Sequence, residues 1–76
     1  MVIQENKLTK EIIQNAAGKE IYFTHIEHGG KYTIQNICMT KLDSMWKTGV
    51  IYINLIGESY VRTLESFIDN FKIINV

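Results

Sequence analysis

Two histidines and a single cysteine are the side chains in this 76-residue chain best suited to metal binding or nucleophilic chemistry. His25 and His28 are three positions apart, so on one strand their side chains would point to opposite faces. A closed metal site needs about four ligands, and Cys38 is the chain's one further soft donor. The pattern predicts no metal and no other cofactor, with His25 half-buried on a strand and His28 in a solvated turn.

A nucleophilic cysteine needs a neighbouring imidazole or a helix N-terminus to lower its pKa. His25 can face Cys38 across a hairpin, but no third residue is evident that would orient the imidazole. A lone cysteine in an apolar strand is typically a small core residue. The glycine pair after His28 is not followed by the Lys-Ser or Lys-Thr of a phosphate-binding loop. The sequence therefore favours a protein that is not an enzyme.

Arg62 and the aromatic side chains are better suited to recognition than to catalysis. A guanidinium presents a fork of donors to a carboxylate, a phosphate or a partner backbone; alternatively, Arg62 lies over the sheet and pairs with Glu65 or a strand carbonyl. Trp46 lies in a polar segment, where an indole is either tucked under a loop or exposed to a partner. The candidate binding residues are Trp46, Arg62, Tyr32, Tyr52, Tyr60 and His25.

Charge and composition narrow the class of protein. Eight basic residues balance eight acidic ones, without a basic run, so the electrostatic signature of a non-specific nucleic-acid binder is absent. The sequence contains no apolar stretch long enough to span a bilayer and no signal peptide at its start, and one cysteine suits a reducing compartment. We expect a cytoplasmic protein without membrane contact, folded as a single domain over residues 1–76.

A helical pattern precedes the strands. Residues 1–6 are compatible with a short strand or a frayed end, and residues 7–17 carry apolar residues at helical spacing. Thr9 is placed to cap this helix, and Gly18 is placed to end it. We therefore expect an N-terminal arm and helix over residues 1–18, followed by a small β-barrel over residues 19–76.

The remaining segments predict short strands joined by turns. Residues 21–26 and the segment from Tyr32 favour a hairpin around the turn at residues 28–31, with a bulge near residues 35–36 where the apolar parity shifts. Residues 41–48 are predicted to be a polar loop that holds Met45 and Trp46. The apolar segment 49–56 predicts a buried strand. A turn at residues 57–59, a strand at 60–64, a short helix at 64–71 and a strand at 72–76 complete the prediction.

This order of elements predicts a mainly β (α+β) protein: a small SH3-like barrel of about five antiparallel strands, with an N-terminal helix and a helical turn before the last strand. In such a barrel, the abrupt change from strand to helix within "YVRTLESFIDNF" is a corner where the chain crosses between sheets. The alternative is an α+β sandwich, in which the first helix packs on an open antiparallel sheet.

Three segments, "THIEHGGKYTIQNI", "VIYINL" and "YVRTLESF", resemble the domain of unknown function 1653 family, which comprises small proteins of bacteria and their phages. The resemblance covers about residues 22–74. The matching positions are His25, Gly29, Tyr32, Ile34, Ile51, Tyr52, Val61, Arg62, Leu64, Glu65 and Phe67. Thr24 stands where the family has arginine, and Thr63 where it has proline. The family has no established activity, so the resemblance implies a small β-rich fold, and its phage members suggest proteins that act by occupying a partner's surface.

We therefore predict a non-catalytic interaction module that binds a protein, in the manner of a phage-encoded protein that modulates a host protein. The alternative is a small nucleic-acid or nucleotide binder, in which aromatic rings stack on bases beside converging cations. The cations available for such a site are Lys31, Lys41, Lys47 and Arg62. The sequence leaves open whether the protein is a monomer or a homodimer.

Overall fold

A computed structural model describes residues 8–74, and they form one antiparallel sheet with two helices. The strand order is β4-β3-β2-β1-β5. This arrangement confirms a mainly β protein with five antiparallel strands. The elements in chain order are α1 (Lys10–Ala16), β1 (Tyr22–His25), β2 (Gly29–Leu42), β3 (Met45–Asn54), β4 (Ser59–Thr63), α2 (Leu64–Asn70) and β5 (Phe71–Ile73).

The sheet is open, because β4 and β5 are its outer strands and each pairs with one neighbour within residues 8–74. The observed sheet is therefore not closed into a barrel. In this respect it matches the alternative prediction of an open antiparallel sheet. The change from strand to helix after Thr63 takes the chain from one outer strand to the other. Helix α2 makes this crossing against the face of the sheet that holds the core.

Helix α1 begins where the capping pattern predicts. The Thr9 hydroxyl accepts a hydrogen bond from the Ile12 amide at 3.2 Å, and Gly18 has a φ of 75° just beyond the helix. Ile13 and Ala16 are buried in the common core, whereas Ile12 is 38% exposed. The predicted strand or frayed end at residues 1–6 lies outside the described residues.

Phe67 of helix α2 and Phe71, the first residue of β5, close the core with two stacked rings. The ring centroids of Phe67 and Phe71 are 4.2 Å apart, and both side chains are fully buried. The helix begins at Leu64 because the Thr63 hydroxyl accepts a hydrogen bond from the Ser66 amide at 3.2 Å. Thr63 therefore supplies the N-cap of this helix.

A bulge in β2 keeps two isoleucines on the core face, as the shift in apolar parity predicts. Ile34 pairs with Tyr52 and Ile37 pairs with Val50, with the register shift between Ile34 and Asn36. Gln35 is the extra, unpaired residue, and in a regular strand that paired Gln35 as well, Ile37 would lie on the opposite face.

The structure corrects two predicted connections. The first turn occupies residues 26–28, because Gly29 already pairs with His25 as part of β2. The predicted polar loop at residues 41–48 is wrong: Met39 pairs with Thr48 and Leu42 with Met45. Residues 39–48 instead form a two-stranded ribbon, since β1 and β4 pair only with other parts of β2 and β3.

The ribbon turns through Asp43 and Ser44, which have φ angles of 51° and 66°. Positive φ at both central residues defines a type I′ turn, which matches the right-handed twist of the paired strands. Glycine is the residue best suited to the second position, so serine leaves the turn strained.

Replacing Ser44 with glycine should raise the free energy of unfolding by about 0.5–1 kcal/mol, because relief of the left-handed strain exceeds the added entropy of the unfolded chain. Denaturant titration followed by circular dichroism measures the change. Ser59→Gly is the control, since Ser59 lies in a strand where glycine destabilises. A lower stability for Ser44→Gly would contradict the turn assignment.

Candidate functional site

Three tyrosines and Arg62 lie together on the core face of the sheet. Tyr52 pairs with Tyr60 and Val50 with Arg62 across β3 and β4, so their side chains share one face. The ring centroids of Tyr52 and Tyr60 are 5.4 Å apart in a stacked arrangement, and Tyr32 meets Tyr52 edge to face at 5.4 Å. We call Tyr32, Tyr52, Tyr60, Arg62 and Phe71 the aromatic–arginine cluster.

Arg62 is held by hydroxyl groups and an aromatic ring. Its Nε donates to the Tyr52 hydroxyl at 2.8 Å and its Nη1 to Ser66 Oγ at 3.0 Å. Its Cζ lies 5.4 Å from the centroid of Phe71, within cation–π range. The expected pairing with Glu65 is absent, and no carboxylate within residues 8–74 forms an ion pair with the guanidinium.

The side chain of His25 reaches the same cluster through Phe71, from which its ring centroid is 5.0 Å away. His25 is 8% exposed, more buried than predicted. Its Nδ1 accepts hydrogen bonds from the Glu27 and His28 amides at 3.1 and 3.2 Å, so the imidazole stabilises the turn as an unprotonated acceptor. Burial lowers the pKa of His25 below its usual value, and the positive charges of His28 and Arg62 lower it further.

The turn also brings the two imidazoles together, with ring centroids 4.6 Å apart. This closeness differs from the opposite-face arrangement that a regular strand would give. Nδ1 of His25 is occupied by the two backbone donors, and within residues 8–74 no group of three or more possible metal ligands is present.

A hydrogen-bond network fixes Tyr60 at the end of the cluster. The Tyr60 hydroxyl donates to the Glu58 carboxylate at 3.0 Å, and the Asn54 side-chain amide donates to the same carboxylate at 2.9 Å. The hydrogen bonds from Asn54 and Tyr60 lower the pKa of Glu58, and the bond to Glu58 raises the pKa of Tyr60. An ionised carboxylate therefore lies at the β3–β4 turn.

Trp46 lies apart from this cluster, on the ribbon. It is six residues from Tyr52 along the same strand, which corresponds to roughly 20 Å. Its ring is 63% exposed and lies 5.8 Å from Lys41 Nζ. Three further apolar side chains of the ribbon are about half exposed or more: Met39 58%, Leu42 49% and Met45 62%.

The structure therefore divides the predicted site residues between two places. Tyr32, Tyr52, Tyr60 and Arg62 lie together with His25 nearby, whereas Trp46 lies at the far end of β3. Sequence reasoning missed Phe71 and Ser66, both of which contact the guanidinium of Arg62. It also missed the exposed ribbon residues Met39 and Leu42. The sequence feature that could have indicated the ribbon is the Asp43-Ser44 pair, which suits a tight turn between two segments of strand-forming residues.

Cys38 lies away from His25. It pairs with Gly49, one position from the pair of Ile37 and Val50 on the core face, so its side chain points to the face opposite the core. Its side chain is half-buried there. The expected position in the core is therefore wrong. His25, by contrast, lies against Phe71 on the core face.

Comparisons with family models, curated proteins and solved structures gave no match. The resemblance to the domain of unknown function 1653 family accordingly stays a prediction. None of the helices within residues 8–74 has the length and hydrophobicity needed to cross a bilayer.

The state of His25 makes stability depend on pH. The pKa of His25 in the folded state lies below the ordinary value of 6.5. The contribution of neutral His25 to the free energy of unfolding is therefore complete above pH 6.5 and is lost as the pH falls from 6.5 through the folded-state pKa. We expect the free energy of unfolding to decrease from about pH 7 to about pH 5, as measured by urea titration at each pH.

Two variants isolate this effect. His25→Asn should flatten the pH dependence, because the Asn side-chain oxygen can accept the same two amide donors but does not titrate. His28→Asn should reduce the slope only in part, since it removes the charge of His28 but keeps the burial that chiefly lowers the pKa of His25. Equal slopes for His25→Asn and the parent protein would show that His25 is not the titrating group.

Proposed function

We propose that the protein is a non-catalytic interaction module whose partner is another protein, bound chiefly through the ribbon of residues 39–48. The observation that carries this proposal is the exposure of Trp46, 63%, and of Met39, 58%, which the strand pairing places on the same face of the ribbon. Large aromatic and methionine side chains are enriched in the buried centres of protein interfaces. An indole left this exposed in a free protein gains most from burial against a partner.

The form of the ribbon supports this role. Its two strands pair only with each other over residues 39–48 within the described chain, so both of its faces and both of its edges are accessible. Leu42 and Met45 pair across the ribbon and form a second apolar pair on the face opposite Trp46. The type I′ turn at residues 43–44 orders the ribbon before binding, which reduces the entropy lost on association.

The aromatic–arginine cluster is the second proposed contact. Nη2 of Arg62 has no hydrogen-bond acceptor within residues 8–74, and Tyr60 beside it is 39% exposed. A half-buried guanidinium with a free donor favours a carboxylate, which it can bind by two parallel hydrogen bonds.

A protein partner fits the charges better than a nucleic acid does. Lys41 and Lys47 are on the ribbon, and their pairing with Trp46 and Thr40 places them on opposite faces. Lys31 precedes Tyr32 in β2 and so points away from the face of Arg62. These cations do not form a continuous path for phosphates, and the whole chain carries a formal net charge of +0.

The SH3-like barrel belongs to this proposal as the finer description of the fold. Three features support it: strand order β4-β3-β2-β1-β5, a helix between the two outer strands, and a long β2 with a bulge at which a sheet can bend. A phage-encoded origin in which the module modulates a host protein remains a proposal that rests on the resemblance.

Affinity capture with matched variants tests the function. We expect a protein captured from a lysate of the source cells by the parent chain to be lost with Trp46→Ala, because the indole supplies the buried contact area. Lys47→Ala is the control, since it changes the adjacent exposed side chain without removing apolar area. Circular dichroism establishes that both variants fold.

Nuclease treatment and a salt series decide between partner classes. Capture that survives nuclease and declines only slightly with salt supports a protein partner, whereas a steep loss with salt indicates phosphate contacts. Equal capture by Trp46→Ala and the parent chain would overturn the assignment of the ribbon.

A further inference from the structure

The free edge of β4 carries backbone groups that are available for pairing. The Asn54 amide donates to the Glu58 carbonyl at 3.0 Å, and hydrogen-bonded pairs alternate along an antiparallel ladder. The pairs of Tyr52 with Tyr60 and of Val50 with Arg62 are therefore the bonded ones. Ser59 and Val61 consequently direct their amide and carbonyl groups to the outer edge of the sheet.

This edge has few of the features that natural proteins use to block edge pairing. Its register with β3 is regular over all five residues, the chain contains no proline, and β4 contains no lysine. Ser59, Tyr60 and Val61 are exposed. The one charged residue of the strand, Arg62, extends across the core face to Tyr52 and Ser66.

The charges beside the edge select the partner. A strand added next to β4 places every second side chain on the face of Tyr60 and Arg62. An acidic side chain opposite Arg62 would accept from the free Nη2. Near the β3–β4 turn, the carboxylate of Glu58 disfavours a second acid. On the other face, Val61 is 54% exposed and favours an apolar neighbour.

We infer that the edge of β4 binds an extended segment of a protein partner, with an acidic residue opposite Arg62 and an apolar residue opposite Val61. This inference rests on the proposed function, in that the partner is a protein, and adds the mode of recognition: strand addition to a sheet edge. A second copy of the chain is a poorer occupant, because pairing two β4 strands would bring two Arg62 side chains into one short ladder.

The outer edge of β5 is less suitable. It has three residues, and the amide of the first, Phe71, is already bonded to the Phe67 carbonyl at the end of α2. Lys72 gives the β5 edge a cation as well, so the β4 edge is preferred for its longer ladder and its exposed residues Ser59 and Val61.

Titration of the isotope-labelled protein with defined peptides tests the inference by NMR. The probes are capped peptides of alternating threonine and valine that span β4 and carry one glutamate, or one glutamine at the same position. We expect the glutamate peptide to shift the amide signals of Ser59 and Val61 and to bind about tenfold more tightly than the glutamine peptide, because glutamine keeps an acceptor oxygen but lacks the negative charge that strengthens the bond to the guanidinium.

Val61→Pro should abolish this binding while the fold is kept, since the amide it removes faces away from β3 and proline is tolerated at such edge positions. Val61→Thr is the matched control and should bind as the parent does. Arg62→Met provides an independent measurement, in which the glutamate and glutamine peptides should bind equally.

Signal shifts confined to the ribbon, or equal affinity of both peptides for the parent chain, would overturn the inference. Binding unaffected by Val61→Pro would do the same. Sedimentation experiments could also reveal a dimer of the parent chain that is absent in Val61→Pro. That result would assign the edge to a second copy of the chain and overturn the proposal of an acidic partner. In each of these cases, capture that depends on Trp46 would still support the proposed function, so the two failures are distinguishable.

Discussion

The ring of Tyr52 connects the core of this protein to its surface chemistry. It is 5% exposed, it contacts Phe67 and Phe71 in the core at 5.3 and 5.2 Å between centroids, and its hydroxyl accepts from Arg62. The same ring stacks on Tyr60 at the edge of the sheet. The position and the orientation of Arg62 therefore depend on the packing of the core. A change in the contacts of helix α2 would move the guanidinium.

The fold was predictable wherever the sequence carries a local signal with a physical cause. The cap at Thr9 follows from side-chain hydrogen bonding and the bulge near Gln35 from the two-residue period of a strand. The helix after Thr63 follows from apolar residues at helical spacing. The ribbon was missed because residues 41–48 are mostly polar, and a two-stranded ribbon exposed on both faces does not need the apolar alternation that identifies a strand. Closure of the sheet depends on its curvature and strand pairing, which no local pattern specifies.

The candidate site was predictable in its residue types but not in its grouping. Tyr32, Tyr52, Tyr60 and Arg62 come together because strand register places them opposite one another, and the alternation within β2, β3 and β4 contains that information once the register is known. Trp46 separates from them because β3 is four residues longer at its start than the predicted strand at residue 49. The capping role of His25 depends on the exact length of the turn at residues 26–28, which two glycines in succession leave open.

The way in which Arg62 is held explains how a structural residue can also serve recognition. A carboxylate partner would neutralise the guanidinium and satisfy its fork of donors, leaving little attraction for a ligand. Hydroxyl oxygens of Tyr52 and Ser66 and the face of Phe71 instead fix the side chain without cancelling its charge. Since the cation is only half-buried, solvent offsets part of the desolvation that an unpaired charge would otherwise suffer. The result is an oriented positive charge beside a free strand edge, in a chain whose overall charge is balanced, so that attraction to an acidic segment is local to that edge.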